Sequence, residues 1–108
     1  MDCEKNAPVV NRLYDLIQED TALAKDIKII GIAVGNTKKE VDALKSKFRV
    51  PFPLFPDQKA DLWMALGKPS TPTMVLTTIS GKVLMNHSGI IQDFEAFLKE
   101  IREIHKRQ

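Results

Sequence analysis

Thr71-Pro72-Thr73-Met74-Val75-Leu76-Thr77-Thr78-Ile79 is the stretch on which the reading of this chain turns. From Thr73 to Ile79 it is rich in β-branched and apolar residues, which predicts a strand. Proline cannot donate to a sheet ladder, so Pro72 at the mouth of that strand calls for a reason. A cis Thr71-Pro72 bond supplies one, because it turns the chain sharply and exposes backbone groups. The commoner case is a trans proline that merely opens the strand. Ser80-Gly81 is a turn signal, and Lys82 to His87 reads as the hairpin partner.

Working back from that corner, Gly67 is a natural stop for a short helix carrying Ala60, Trp63 and Leu66, with Asp57 as its cap. Pro51 and Pro53 forbid helix and leave a short extended piece, Phe52 to Phe55. Thr37-Lys38-Lys39-Glu40 is a capping-box pattern ahead of the apolar stripe Val41, Leu44 and Phe48. Ile27 to Val34 is nearly continuous in β-formers, which predicts a strand covered on both faces. Val9, Val10, Leu13, Leu16 and Ile17 recur at helical spacing, so a first helix is expected over roughly residues 4–20, kinked at Pro8. Working forward, Phe94, Phe97, Leu98, Ile101 and Ile104 predict a final amphipathic helix. Its tail His105-Lys106-Arg107 suits the negative end of the helix dipole.

Bulk properties narrow the choice of function. The chain has 108 residues, 44% apolar and 28% charged, which suits one globular domain over residues 1–108. Net charge is +2 with the signs interleaved, so neither nucleic acid nor a membrane surface is the expected partner. No apolar run approaches the roughly 20 residues of a membrane span. Asp2, Cys3, Glu4 and Lys5 do not read as an export leader. A single cysteine leaves no intrachain disulfide to form.

The element order is helix, strand, helix, short helix, strand, strand, helix. A buried strand followed by a helix calls for parallel neighbours, and the Ser80-Gly81 turn makes an antiparallel pair. The expected class is α/β, a mixed sheet with helices on both faces.

This pattern resembles the thioredoxin-like superfamily, and within it the TlpA-type thiol–disulfide oxidoreductases and bacterial redoxins. In that family a strand leads into Cys-x-x-Cys, and a proline follows the second cysteine within the same helix. Cys3-Glu4-Lys5-Asn6-Ala7-Pro8 is similar to the stretch from the second cysteine onward. Thr71-Pro72-Thr73 resembles the family's cis-proline corner, Gly81 its hairpin glycine, and Pro53-Leu54-Phe55-Pro56-Asp57 the segment before its extra helix. The first cysteine and the strand before it have no counterpart. The resemblance therefore implies a thioredoxin-like fold truncated at its N-terminus, with Met1 and Asp2 at the intervening positions of a Cys-Met-Asp-Cys motif. The absent strand would lie mid-sheet, between the strands at 27–34 and 73–79. Each buried aliphatic side chain contributes roughly 1.5–3 kcal/mol. Its loss would thus remove on the order of 10 kcal/mol, comparable to the net stability of a domain, about 5–15 kcal/mol.

The resemblance implies thiol–disulfide exchange, in which a thiolate attacks a disulfide sulfur through a mixed disulfide. Cys3 would be the resolving cysteine, facing cis-Pro72, and the backbone of Thr71 would pair with an extended substrate segment. The partners implied are protein thiols or disulfides. Two copies joined by exchanged strands or by a Cys3 disulfide are a further arrangement. The compartment cannot be read from these residues, although the family resemblance suggests a periplasmic or extracytoplasmic one. Dithiol catalysis by this form is expected to be weak or absent.

Other readings compete. A thioredoxin-fold module without a working dithiol can serve as a redox-inactive protein-binding domain. A peroxiredoxin with Cys3 as its peroxidatic thiol is the third reading, weakened because no arginine stands near position 71. Free cysteine is often just a small hydrophobe. Trp63 reads as core. His87 and His105 have no companions at ligand spacing, so no metal site is expected. No phosphate-binding glycine pattern follows Gly31 and Gly35, so no cofactor is expected. Lys38-Lys39 and Lys45-x-Lys47 read as solvated helix faces, and the methionines as gap-fillers. The truncation reading has a direct test in the genomic DNA. An in-frame Cys codon just before Met1, preceded by an apolar strand, is expected, and a stop codon there overturns it.

Overall fold

The computed structural model describes residues 2–108. The chain divides into two compact units, one made of Met1–Val9 and Ser70–Gln108, the other of Val10–Pro69. Helix α1 (Asp2–Glu19) contributes to both and runs through Pro8.

The Val10–Pro69 unit holds the rest of α1 followed by α2 (Thr21–Asp26), β1 (Gly31–Val34), α3 (Lys38–Lys47), β2 (Leu54–Asp57) and α4 (Asp61–Ala65). Leu13, Ile17, Leu23, Val41 and Phe52 are its buried apolar side chains. Asn11 Nδ2 donates to the Phe48 carbonyl at 2.8 Å, which ties α1 to the C-cap of α3. The expected capping box is present. Thr37 Oγ1 accepts from Glu40 N at 3.2 Å, and Glu40 Oε1 accepts from Thr37 N at 2.9 Å. The Thr37 amide holds the Glu40 carboxyl below its ordinary pKa, because the bond favours the ionised form. Helix α2 is an element the sequence reading left unassigned. Its signal is Asp20, whose carboxylate accepts from Ala22 N and Leu23 N.

Strand β2 pairs in parallel with β1, in the register Gly31↔Leu54, Ile32↔Phe55, Ala33↔Pro56 and Val34↔Asp57. The extended piece between the prolines is thus a strand, shifted two residues toward the carboxyl end. Pro56 has no N–H to give, which suits a strand with β1 as its one described neighbour. The expected strand over 27–34 forms only from Gly31. It is not covered on both faces: Ile30 is 59% exposed, Ile32 39% and the cross-strand Phe55 51%. Side chains alternate along a strand, so these three lie on one face of the pair. Among the described residues β1 has a hydrogen-bonded neighbour on one edge alone.

Asp57 caps α4, as expected, but from a distance. Its carboxylate accepts from Leu62 N at 3.2 Å and Trp63 N at 2.9 Å, while Ala60 occupies the cap position in a left-handed conformation. Trp63 is half-buried rather than core, and its indole N–H donates to the Pro69 carbonyl at 2.7 Å. An indole at the edge of a unit keeps its polar end satisfied in this way.

In the other unit, β3 (Thr73–Thr77) and β4 (Val83–Ser88) form an antiparallel hairpin, followed by α5 (Phe94–Lys106). The ladder slips between Leu76 and Thr77, and the turn closes through Gly81 N→Thr78 O at 3.0 Å with Gly81 at φ 94°. β3 ends at Thr77, just past that slip, and Ile79 is fully exposed on the turn instead of continuing the strand. Phe97, Leu98, Ile101 and Ile104 of α5 are buried, joined by Met85 and Ile91. The parallel and antiparallel pairs expected of a mixed sheet are both present, as separate two-stranded sheets among the described residues.

Gly31 fixes the β1–β2 approach. A Cβ there would overlap Leu54 Cδ2 and come within 3.3 Å of Phe52 Cε1. Gly31→Val is expected to cost about 1–3 kcal/mol through overpacking, read as a lower urea midpoint with unchanged slope.

Candidate functional site

The corner before β3 has the geometry its sequence predicts. The Thr71-Pro72 peptide is cis. Thr71 is exposed and Pro72 half-buried. The Pro72 carbonyl accepts from Gly89 N at 2.8 Å, which extends the β3–β4 ladder one step past Thr73↔Ser88. Thr73 Oγ1 donates to the Ser70 carbonyl across the corner. Among the described residues, no partner takes the Thr71 backbone N–H or C=O.

Cys3 lies in the first turn of α1, and its side chain falls outside the described residues. The expected meeting of its sulfur with Pro72 therefore lies outside them too. One turn further along α1, Asn6 is the buried polar residue of this unit, 3% exposed. Its Oδ1 accepts from the backbone N of Ile91 at 3.1 Å, and Ile91 is itself 4% exposed. Neither atom can turn to water, so each depends on the other.

Residues Gly89 to Ile91 thus carry two anchoring bonds, one to the Pro72 carbonyl and one to the start of α1. His87 supports the same segment. Its Nε2 lies 3.3 Å from the Ile90 carbonyl, and its ring meets Phe97 edge-on with centroids 5.2 Å apart. Gly89 has φ 87°, a left-handed conformation that allows the chain to leave β4 and reach α1. Asp93 then caps α5 by accepting from Ala96 N at 3.0 Å.

Sequence reasoning singled out Thr71, Pro72 and Cys3 and passed over Asn6. A lone asparagine in an amphipathic helix carries no signal of burial, because its partner is 85 positions away. Among the described residues no three His, Cys, Asp or Glu side chains gather to hold a metal ion. No described helix is long and apolar enough to cross a membrane.

Known proteins share this fold. The solved structure of StoA from Bacillus subtilis superposes with a TM-score of 0.72 over 93% of this chain and 72% of its own, at 18% identity. A candidate thiol:disulfide interchange protein DsbE from Chlorobium tepidum superposes with a TM-score of 0.77 over 96% of this chain and 71% of its own, at 22% identity. The fold is thioredoxin-like. In sequence, this thioredoxin-like chain is 28% identical over 102 residues to the thiol–disulfide oxidoreductase ResA of Geobacillus thermodenitrificans (strain NG80-2). The match takes in 93% of the chain and 56% of that relative, so the chain spans little more than half of its length. No protein-family model matches.

Asn6→Ala leaves the Ile91 amide buried without an acceptor. It is expected to lower unfolding free energy by about 1–3 kcal/mol. Amide hydrogen exchange locates the loss, with Ile91 the position whose protection falls most.

Proposed function

We propose that this chain is a thiol–disulfide oxidoreductase module whose chemistry runs through Cys3, with the Thr71-Pro72 corner as the docking place for the polypeptide that carries the other sulfur. The likeness to ResA along 93% of the chain, on a thioredoxin-like fold, carries this reading. The placement of Cys3 in the first turn of α1 supports it. Unpaired N–H groups and the positive end of the helix dipole there favour a thiolate over a thiol. The exposed Thr71 supports the docking role, since an N–H and C=O without a partner among the described residues are what an extended peptide needs for main-chain pairing.

In the exchange step the Cys3 thiolate attacks one sulfur of the partner's disulfide. A new S–S bond forms to Cys3, the old one breaks, and the other sulfur leaves as a thiolate. In a dithiol protein a second cysteine would complete the cycle, with Cys3 in the resolving role. The present sequence has one cysteine, so its product is the mixed disulfide itself. A pair of copies linked Cys3 to Cys3 is the same chemistry with the chain as its own partner.

Mass spectrometry after exposure to a peptide disulfide is expected to find about one adduct per chain, lost in Cys3→Ser and reversed by dithiothreitol. Insulin reduction by the 108-residue chain is expected to match the buffer control. Turnover at the rate of an intact thioredoxin overturns that expectation. Partner binding that survives Cys3→Ser unchanged favours a redox-inactive binding module instead.

A further inference from the structure

Asn6 presents a puzzle of energetics. It stands at a buried position of an amphipathic helix where an apolar side chain would pack without a desolvation cost, and burying an amide costs roughly 1–3 kcal/mol unless it is bonded. Its one described bond goes to the backbone N of Ile91, 85 positions away. Two residues before Ile91, Gly89 N binds the carbonyl of Pro72 at 2.8 Å. A short run of backbone therefore fixes the first turns of α1 with one amide and the Thr71-Pro72 corner with another. A buried hydrogen bond of this kind selects one geometry among several that packing alone would tolerate.

We propose that Asn6 is a positioning residue for disulfide exchange. Through the Gly89–Ile91 segment it sets the first turn of α1, which carries Cys3, in register with the corner at which a polypeptide disulfide docks. This rests on the reading given under Proposed function. Its consequence is selective. A disulfide held by main-chain pairing at the corner reaches the Cys3 sulfur only when the two parts keep their relative placement, whereas a small free disulfide needs no such alignment. A displacement of about 1 Å at a reacting centre can lower a rate as much as a hundredfold. The loss in an Asn6 variant therefore falls on the docked reaction.

Two probes with a common leaving group separate the effects. One is 5,5′-dithiobis(2-nitrobenzoate). The other is an extended peptide whose single cysteine is capped as the mixed disulfide with the same nitrothiobenzoate. In both, the Cys3 thiolate forms the new S–S bond and expels the same coloured thiolate, so the ratio of rate constants measures docking and alignment with the leaving group held fixed. The unsubstituted protein is expected to favour the peptide probe. In Asn6→Ala and Asn6→Gln the ratio of peptide to small-probe rate constants is expected to fall at least about tenfold. Asn6→Asp, which keeps an acceptor oxygen at the same reach, is expected to retain the ratio even though its charge shifts the absolute rates. Asn6→Gln keeps the amide but moves it by one methylene, so the test stands if the alanine variant does not fold. An unchanged ratio in Asn6→Gln overturns the proposal, as does a ratio that falls equally in Asn6→Asp. A wild-type chain with no preference for the peptide overturns the docking reading itself, a distinct failure.

Discussion

Two backbone N–H groups in the segment after β4, those of Gly89 and Ile91, constrain the unit that carries the corner. The antiparallel hairpin could exist without them, since its ladder runs from Thr73↔Ser88 to Thr77↔Val83 with one slip between Leu76 and Thr77. A two-stranded hairpin alone is marginal in water, however, and needs a packed surface to persist. Helix α5 provides that surface through Phe97, Leu98, Ile101 and Ile104. The Gly89–Ile91 segment joins hairpin to helix and spends its amides on Pro72 and Asn6 instead of on solvent. The burial of Asn6 answers one requirement: the buried Ile91 amide must find an acceptor.

The Val10–Pro69 unit answers a different constraint. Its parallel pair is short and has β1 and β2 as each other's described neighbours. Parallel pairs usually lie under helices on both faces. Here Ile30, Ile32 and Phe55 leave one face apolar and open. Pro56 limits what β2 can donate at its other edge, which is how natural sheets blunt an edge against unwanted pairing. Gly31 allows the close approach of Leu54 and Phe52, and Asp57 ends the strand while capping the helix after it. A few residues with two duties each hold this unit in register.

Chemistry and fold meet in the economy of the proposed site. Disulfide exchange needs no metal, cofactor or general base beyond a thiolate, a docked disulfide and a fixed angle between them. In that proposal the start of α1 carries the thiol, the exposed Thr71 offers main-chain groups, and the buried Asn6 carboxamide holds the frame. In the proposed reading, the single cysteine of the present sequence bonds a partner covalently and leaves release to a thiol from elsewhere.

Local chemistry made much of this legible from residues alone. The Thr37–Glu40 capping box, the Asp57 cap, the Ser80-Gly81 turn and the α5 stripe each depend on neighbours within a few positions, so their types and spacing suffice. The cis peptide at Thr71-Pro72 was legible through the resemblance of Thr71-Pro72-Thr73 to a cis-proline corner, since a proline at a strand mouth is by itself more often trans. Other features were not local. Ile30 reads as core from its type and lies 59% exposed, because cover depends on what packs over a strand and not on the strand itself. Leu54 to Asp57 did not read as a strand, since their parallel pairing with β1 joins residues on either side of α3. Asn6 reads as a polar helix residue and becomes the acceptor for an amide 85 positions away. The sequence by itself determined where elements start, stop and turn. Tertiary structure alone decided which polar atom is buried, and against what, because burial is a property of the assembled chain.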